Sequence, residues 1–465
     1  MFVNLSQQNN IKYQHIMTKT NKSISRREFF GNAATITAFG ALGAGVILNS
    51  CSGEKPAEAP GIPPLLEKAP DGKPLKAGLI GCGGRGTGAA LNYLKAGAGL
   101  SVVALGDMFE DRLAQCRAEI LEKAGNEVSD DMCFTGFDAY KRVIEQDIDV
   151  VILATPPYFR PEHFKAAVEA RKHVFMEKPV CVDPVGARSV IASAKKAETI
   201  GLTVVTGTQR RHQHDYIEVY KRIYSGWIGD IVAANVYWNQ SKLWHKDRKD
   251  DWTDMEFMIR DWVNWSWLSG DHIVEQHIHN IDVANWFTGK FPVSAVGFGS
   301  RQRRVTGDQY DNFSVDFVYE GDVHMHSMCR QINGCSNNVS EYLRGTEGYT
   351  NCKNTIYNPD GSMKWEYDYP LDENGEPMRE PGISPYDQEH IDLVTAIRSE
   401  TPINEAEATA KSCLAAIMGR ISAYTGQEVT WDEMMKSELT LGPKELKLGK
   451  VDMKFEVPVP GTAPM

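Results

Sequence analysis

Residues 75–86 read Leu-Lys-Ala-Gly-Leu-Ile-Gly-Cys-Gly-Gly-Arg-Gly, and residues 100–107 read Leu-Ser-Val-Val-Ala-Leu-Gly-Asp. Both stretches begin with a mostly apolar run, which is typical of parallel strands buried on both faces. The first run is followed by three glycines in the spacing G-x-G-x-x-G, namely Gly81, Gly83 and Gly86. A helical run lies between the two stretches. The sequence therefore predicts a strand, a glycine-rich turn, a helix and a second strand that ends on an acid, Asp107.

A turn of this kind is suited to hold a dinucleotide. The glycines permit a tight turn and close approach of the backbone to a pyrophosphate, and the helix that follows presents free N–H groups to it. Asp107 would accept hydrogen bonds from the adenosine ribose diol and would repel a 2′-phosphate, which favours NAD over NADP. The alternative is a glycine-rich turn in another kind of α/β domain, but the complete strand–turn–helix–strand unit favours NAD as cofactor.

Residues 108–206 continue to alternate helices and strands, which predicts a doubly wound parallel sheet, a Rossmann domain over residues 74–206. Ligands of such sheets lie outside the carboxyl ends of the strands. The residues that follow the predicted strands should therefore converge on the cofactor. We assign to cofactor binding Gly81, Gly83, Gly84, Arg85, Gly86, Asp107, Thr155, Pro156, Glu177, Lys178 and Gln209.

The composition changes after residue 210. Several later runs alternate apolar and polar residues, as strands with one covered face do. We therefore expect an α/β protein in which residues 207–445 form a second, α+β domain with a large, mainly antiparallel open sheet. Residues 446–465 would form a tail.

The N-terminus reads as a targeting segment over residues 1–50. Ser25-Arg26-Arg27-Glu28-Phe29-Phe30 resembles a twin-arginine export signal, and Leu48-Asn49-Ser50-Cys51 resembles a lipoprotein processing site. We expect export to the periplasm or cell envelope, with Cys51 as a lipid anchor; plain cleavage and a retained anchor are the alternatives. Residues 51–73, rich in Pro, Ala, Glu and Lys, predict a flexible tether.

Charge and cysteine content narrow the partners. The net charge is −11, and removal of residues 1–50, which hold five bases and one acid, would leave about −15. An acidic chain argues against a nucleic-acid partner and leaves a possible lipid at Cys51 as the only membrane contact. The other eight cysteines show no C-x-x-C spacing, so we expect mostly free, buried thiols.

Two groups of residues can carry chemistry. Lys178 follows a predicted strand beside the cofactor and could stabilise a developing alkoxide, although a solvated surface lysine is the alternative. Glu275 and His279 are four residues apart on a predicted helix, so the carboxylate could orient the imidazole as a proton acceptor. Three histidines, His272, His277 and His279, lack a metal-binding spacing such as H-E-x-x-H, so we predict no metal site.

Six tryptophans precede these histidines within 30 residues: Trp238, Trp244, Trp252, Trp262, Trp265 and Trp267. Aromatic faces can stack on sugar rings, while packing in a core is the alternative. We assign to substrate binding Lys178, Arg211, Trp238, Trp265, Trp267, His279 and Asp282.

The order of these motifs resembles the Gfo/Idh/MocA family, of the glucose–fructose oxidoreductase and inositol dehydrogenase type. The glycine loop, Glu177-Lys178-Pro179, Thr206–Arg211 and Glu275-x₃-His279-x₂-Asp282 carry the resemblance, which runs from about Lys76 to Tyr424. It implies a Rossmann domain before an open-sheet domain, oxidation or reduction of sugar and polyol hydroxyls with NAD(P), and catalytic roles for Lys178 and His279. The family commonly has Asp at position 275 and Gly at position 277, which predicts a reshaped pocket here.

We therefore expect an NAD-dependent oxidoreductase that acts on a secondary hydroxyl of a sugar or glycoside, with a tightly held cofactor and a homo-oligomeric state. Lys178, His279 and Glu275 are the predicted catalytic residues. One alternative is an NAD-dependent glycosidase that works by transient oxidation, elimination and re-reduction. A non-catalytic sugar-binding lipoprotein is the other, and Lys178 with His279 argues against it.

Overall fold

The structure, a computed structural model, describes residues 59–378 and 380–462. The predicted signal, Cys51 and the first part of the predicted tether lie outside these residues. In the described part of the chain, no helix is both long and apolar enough to cross a membrane.

The first half of the chain forms the predicted parallel sheet. Its six strands run in the order β3-β2-β1-β4-β5-β6, all parallel, which is the order of a dinucleotide-binding Rossmann fold. The strands are β1 (Leu75–Ile80), β2 (Leu100–Asp107), β3 (Cys133–Thr135), β4 (Val150–Leu153), β5 (His173–Met176) and β6 (Val204–Thr206). The helices between them are α1 (Gly84–Lys95), α2 (Glu110–Ala124), α3 (Ala139–Ile144), α4 (Arg160–Glu169) and α5 (Pro184–Thr199).

The second half forms a nine-stranded sheet in the order β14-β13-β12-β11-β7-β10-β9-β8-β15. Neighbours are antiparallel except β7 and β10, which are parallel, so the predicted fold class is confirmed. The strands are β7 (Ile231–Gln240), β8 (Ser294–Ser300), β9 (Asn312–Tyr319), β10 (Val323–Gln331), β11 (Asn338–Gly345), β12 (Tyr349–Thr350), β13 (Thr355–Tyr357), β14 (Met363–Glu366) and β15 (Val429–Thr430).

The helices of the second half are α6 (His214–Tyr224), α7 (Asp254–Arg260), α8 (Ser266–Ser269), α9 (His272–Glu275), α10 (Ile278–Thr288), α11 (Pro385–Arg398), α12 (Ala406–Thr425) and α13 (Trp431–Lys436). One face of the sheet is covered by α12: a side chain at Gly419 would come within 2.7 Å of Phe317 on β9. The opposite face leaves large apolar side chains exposed, among them Val296 and Phe298 on β8.

Two late helices return to the Rossmann half, which the sequence did not indicate. On α11, Asp387 accepts hydrogen bonds from Asn92 and Lys95 of α1. Helix α12 packs against α5. The predicted domain limits, 74–206 and 207–445, therefore divide the sequence into two segments, but the last helices of the second segment pack against the Rossmann half.

Part of the predicted tether is fixed to the fold. Ala69 is buried, and its N–H donates to the carbonyl of Ala96. The guanidinium of Arg398 donates to the carbonyls of Pro70 and Lys73. Hydrogen bonds at both ends of this segment, together with the burial of Ala69, hold residues 69–73 to the fold, so this part of the predicted tether lacks the freedom of a flexible linker.

Candidate active site

The glycine-rich turn after β1 has room for backbone only. Gly81 has φ +98°, and a Cβ there would lie 2.6 Å from the backbone of Ala154 and Thr155. A Cβ on Gly86 would lie 1.8 Å from the carbonyl oxygen of Gly81. Glycine is therefore required at both positions, and the turn delivers the N-terminus of α1 close to the ends of β1 and β4.

A cavity of about 470 Å³ opens at this turn. Its lining contains eight of the predicted cofactor residues: Gly81, Gly83, Gly84, Arg85, Gly86, Asp107, Thr155 and Pro156. The volume lies in the range of small-molecule and cofactor sites, and the bare glycine backbone with free helical N–H groups fits a pyrophosphate. These residues therefore fit NAD.

Asp107 ends β2 at the wall of this cavity, as predicted. Its carboxylate accepts hydrogen bonds from the N–H groups of Cys82 and Phe109, at 2.7 and 2.9 Å. Burial raises the pKa of Asp107, while these two N–H groups act to lower it. Each carboxylate oxygen keeps a further lone pair, so Asp107 can still accept a hydrogen bond from a ribose hydroxyl.

The far wall of the cavity comes from the second half of the chain, and the sequence had not indicated it. Trp244, Lys246, Arg260 and Trp262 line this wall. The guanidinium of Arg260 donates two hydrogen bonds to the carboxylate of Asp111, each 3.0 Å long. An ion pair between two lining residues, one from each half of the chain, thus joins the walls of the cavity.

At the ends of β4 and β5, backbone groups are held together by Arg160, which is 3% exposed. Its guanidinium donates to the carbonyls of Thr155, Glu177 and Pro179. Glu177 in turn accepts a 2.5 Å hydrogen bond from Nε of Arg85 in the glycine loop. These bonds place Lys178 at the edge of the Rossmann sheet, as predicted, although Glu177, Lys178 and Gln209 lie outside the lining of the NAD cavity.

Lys178 reaches across to the second half. Its Nζ donates to the backbone carbonyl of Glu275 at 2.7 Å and to the carboxylate of Glu275 at 3.2 Å. The side chains are only 13% and 7% exposed. A surface lysine would be solvated and mobile; Lys178 is fixed at one position by a partner 97 residues away.

The predicted contact between Glu275 and His279 is absent from the structure. The predicted single helix is broken: α9 ends at Glu275, and α10 begins at Ile278. The carboxylate of Glu275 binds Lys178 and accepts from Gln276 at 2.7 Å. Because the break removes the helical i, i+4 relation, Glu275 positions Lys178 and not the imidazole.

His279 is 7% exposed and lies beside Trp238, with ring centroids 5.5 Å apart and an angle of 24° between the planes. Burial, together with the charges of Lys178 and Arg210, holds the pKa of His279 well below its usual value. The imidazole is therefore neutral. Nδ1 is buried without a hydrogen-bond partner among the described residues, which leaves Nε2 as the nitrogen open to the cleft.

Beneath His279 lies a buried network that the sequence analysis missed. Arg210 forms an ion pair with Glu341, which also accepts from Tyr216 and Asn280. The guanidinium of Arg210 lies 5.6 Å from the Trp238 ring centroid. Arg210 is adjacent to Arg211, which we had assigned to substrate, and nothing in the sequence tells which of two neighbouring arginines faces the site.

The structure also corrects the predicted assignment of Arg211 and Asp282 to substrate binding, because the two side chains bind each other. Nε and Nη2 of Arg211 donate to the two carboxylate oxygens of Asp282, at 2.8 and 2.9 Å. Asp282 is 2% exposed and also accepts from Ser412. Both carboxylate oxygens are bound by protein donors and the side chain is almost completely buried, so Asp282 supports the fold and is not exposed to a substrate.

The tryptophans divide between site and core. Trp238 lies at the site, as predicted. Trp267 is 1% exposed and packs edge-on against Tyr158 and Phe159, so its assignment to substrate is wrong. Trp265 packs against Phe257 and Phe455, which places it in the same apolar cluster.

The cysteines and potential metal ligands add no further centre. The eight cysteines in the described residues are free, and most are buried, as predicted. Within residues 59–378 and 380–462, no group of three His, Cys, Asp or Glu side chains is placed to hold a metal ion.

The fold and the glycine turn define an NAD-binding Rossmann protein with an attached open-sheet domain. Residues 75–206 match the oxidoreductase family described as Gfo/Idh/MocA, NAD-binding Rossmann fold, and residues 216–350 match the Gfo/Idh/MocA C-terminal domain. The chain belongs to the Gfo/Idh/MocA family, which confirms the predicted family and the predicted cofactor, NAD.

Individual relatives are more distant. The chain is 30% identical over 217 residues to the myo-inositol 2-dehydrogenase of Thermotoga maritima, covering 46% of this chain and 55% of that protein. It is 26% identical over 242 residues to a glycosyl hydrolase family 109 protein of Streptomyces coelicolor, covering 48% and 50%. The chain thus spans about half the length of these curated relatives.

Among solved structures, the scyllo-inositol dehydrogenase of Lactobacillus casei with bound NAD(H) and scyllo-inositol has the same fold. The TM-score is 0.56 at 19% identity, and the alignment covers 77% of this chain and 99% of that one.

Proposed function

We propose that this protein is an NAD-dependent oxidoreductase that acts on a secondary hydroxyl of a sugar or glycoside. The observation that carries the proposal is the meeting of an ammonium group and a neutral imidazole. Lys178 comes from the Rossmann edge and His279 from the open-sheet half, and the charge of Lys178 lowers the pKa of His279. A donor and an acceptor of this kind are what oxidation of an alcohol needs.

Gly81, Gly83, Gly86 and Asp107 would hold NAD at the glycine turn, and the nicotinamide would supply the hydride acceptor for the carbon that bears the hydroxyl. Nε2 of the neutral His279 accepts the hydroxyl proton. The ammonium of Lys178, held by Glu275, donates a hydrogen bond to the same oxygen and stabilises its growing negative charge. Trp238, stacked beside the imidazole, is only half-buried, and a sugar ring would contact the exposed part of its indole.

The relatives support the substrate class. One is named as an inositol dehydrogenase, whose polyol substrate carries ring hydroxyls. The match to a glycosyl hydrolase family 109 protein supports the alternative that the net reaction is glycoside cleavage through transient oxidation. Both reactions begin with the same proton transfer to His279, so the residues at the site do not separate them.

The reaction products distinguish alcohol oxidation from glycoside cleavage. Purified protein should be incubated with a panel of glycosides that carry a chromophoric aglycone, with mass spectrometry of the products and absorbance of NADH. We expect a keto-sugar glycoside and an equal amount of NADH. Released aglycone without net NADH would establish the glycosidase, and neither product across the panel would contradict both.

We also propose that the protein is exported to the periplasm or cell envelope by the twin-arginine route and anchored through Cys51, with NAD loaded before export. The motif around Arg26 and Arg27 supports this. Replacement of both arginines by lysine should retain the protein in the cytoplasm, and Cys51→Ala should abolish lipid labelling. Arrival of the double-lysine variant in the envelope would refute the route.

We further propose a homo-oligomer, in which the exposed sheet face of one copy meets that of another. Val296, Phe298 and Tyr342 on this face are 53%, 70% and 46% exposed, and apolar patches of this kind mark protein interfaces. Light scattering should give more than one chain per particle, and Phe298→Lys should lower that mass. A monomer at all concentrations would refute the proposal.

A further inference from the structure

A second cavity, of about 460 Å³, lies where β7 and β10 end. The side chains that matter in its lining are Lys242, His245, Arg303, Arg304, Gln331 and Cys335. No acidic residue of the described chain is part of this lining. A wall of cations in a protein with a net charge of −11 creates a local positive potential.

Three of these cations carry no paired carboxylate. The guanidinium of Arg304 donates only to neutral oxygens: Oδ1 of Asn264 at 2.7 Å, Oε1 of Gln331 at 2.6 Å and the carbonyl of Tyr310 at 3.2 Å. Lys242 and Arg303 are exposed. Among the ion pairs of the described residues, none includes Lys242, Arg303 or Arg304.

The carboxylates near this cavity bind other groups. Asp311 accepts hydrogen bonds from the backbone N–H groups of residues 302–304. Asp261 and Asp247 each lie 3.3 Å from a ring nitrogen of His245. None of these three carboxylates belongs to the cavity lining. Burial acts to raise the pKa of Asp271, whereas its bond to His272 and, to a smaller extent, the charge of Arg304 lower that pKa. Arg304 forms no ion pair with a carboxylate among the described residues, so it can still bind an anion in the cavity.

Gln331 supplies a second, independent observation. It is 4% exposed, its Oε1 is engaged by Arg304, and its Nε2 is a buried donor with no partner among the described residues. A buried N–H group without an acceptor costs free energy. A ligand with acceptor oxygens in this cavity would satisfy it.

The second cavity shares a wall with the NAD cavity. Along residues 243–246 the side chains alternate: Leu243 and His245 line the second cavity, whereas Trp244 and Lys246 line the NAD cavity. Lys242 is four residues beyond Trp238, which lies on His279. Four residues of extended chain span at most about 14 Å, so one ligand with two rings can reach both His279 and the cations.

We propose that the second cavity is a subsite for the acidic group of the substrate, a carboxylate, sulfate or phosphate carried by a glycoside. This rests on the proposed function for the identity of the substrate, but the binding of the acidic group can be measured without turnover. Arg304 and Gln331 form the floor, and Lys242 and Arg303 form the rim.

Cys335 provides the measurement, because it lines the cavity and is exposed, whereas most other described cysteines are buried. The NAD-loaded protein is alkylated with neutral iodoacetamide, and modification of Cys335 is followed by peptide mass spectrometry. The ligands are 4-nitrophenyl β-D-glucuronide, the matched glucoside and sodium sulfate. We expect the glucuronide to halve the rate at a concentration about tenfold below that of the glucoside, since a charge-assisted hydrogen bond has about that effect.

The double variant Lys242→Gln/Arg303→Gln should lose this preference. Lys195→Gln/Lys290→Gln removes the same charge from exposed positions outside the cavity and should keep it. Equal protection by glucuronide and glucoside, or a preference that survives in the first variant, would overturn the proposal. Protection by sulfate alone would also overturn it, because it would mark a site for a free anion. Acid-selective protection in a protein with no activity on any glycoside would support the subsite and refute only the proposed function.

Discussion

The two edges of the active site are built in opposite ways. At the glycine turn, residues 81–86 leave bare backbone, and the contacts that shape it lie close together in the chain or in the adjacent strand. At the reacting edge, Lys178, Glu275 and His279 are charged or polar side chains, and the bond from Lys178 to Glu275 joins residues 97 positions apart. The glycine turn depends on the absence of side chains, whereas the reacting edge depends on charged and polar groups at the ends of side chains.

This difference determines which kind of substitution damages each edge. A side chain added at Gly81 or Gly86 meets backbone that cannot move, so the fold itself is at risk. A side chain removed at the reacting edge leaves a partner without its hydrogen bond, so chemistry is lost first and stability follows.

The largest effect is expected at the glycine turn. Gly86→Ala puts a Cβ 1.8 Å from the carbonyl oxygen of Gly81, so we expect loss of folding or a destabilisation above about 3 kcal/mol. Gly84→Ala is the matched control, because its Cβ meets no atom within 4 Å. Thermal midpoints without added NAD make the comparison. Equal midpoints would mean that this edge is not rigid.

At the reacting edge, Lys178→Met should reduce turnover by about 10²–10⁴-fold, because the donor to the developing alkoxide is lost. It also leaves the carboxylate of Glu275 nearly buried without its cation, so the thermal midpoint should fall. Adding Glu275→Gln should restore the midpoint and leave turnover low. A single variant with normal turnover would show that Lys178 has only a structural role.

A third test compares histidines on the two sides. His390, behind the Rossmann sheet, is fully buried between Phe175 and Tyr93, and both ring nitrogens lack a partner among the described residues. Burial, and then the charge of Arg85, lowers the pKa of His390 well below its usual value. Like His279, it is held neutral, but it has no access to a substrate.

Below pH 6.5 the unfolded chain therefore binds a proton at His390 that the folded protein does not, and the free energy of unfolding decreases as the pH falls. His390→Leu removes this contribution, so between pH 7 and 5 the variant should lose about 2 kcal/mol less than the wild type. Urea unfolding at both pH values measures it. Parallel pH dependence in the two proteins would show that His390 is charged in the fold.

The smallest effect is expected for Glu275→Gln. The backbone carbonyl of Glu275 still accepts from Nζ of Lys178 at 2.7 Å, so only one charge-assisted hydrogen bond is weakened, and turnover should fall about tenfold. A loss as large as that of Lys178→Met would instead place the Glu275 carboxylate in the proton transfer.

The sequence predicted the structure of the glycine turn but not the side-chain contacts of the reacting edge. Residues 75–107 specify strand, turn, helix and acid within one short segment, and the structure has each of them. Glu275 and His279 both lie at the candidate site, but the predicted contact between them is absent, because a helical spacing cannot reveal the break at residues 276–277. Arg210 and Arg260 were missed because their partners, Glu341 and Asp111, are fixed only by tertiary packing.

One wall of the NAD cavity depends on residues far along the chain from the Rossmann sheet. Helix α7, which carries Arg260, is held by residues 449–451: the N–H of Met255 donates to the carbonyl of Gly449, and Val451 is buried against Met255 and Met258. Domains fold from the N-terminus as the ribosome makes them, and these residues follow the whole Rossmann half. The wall that Arg260 contributes therefore forms only after residues 449–451 have been made, and a chain that stops short of residue 449 would have a Rossmann sheet whose nucleotide pocket lacks this wall.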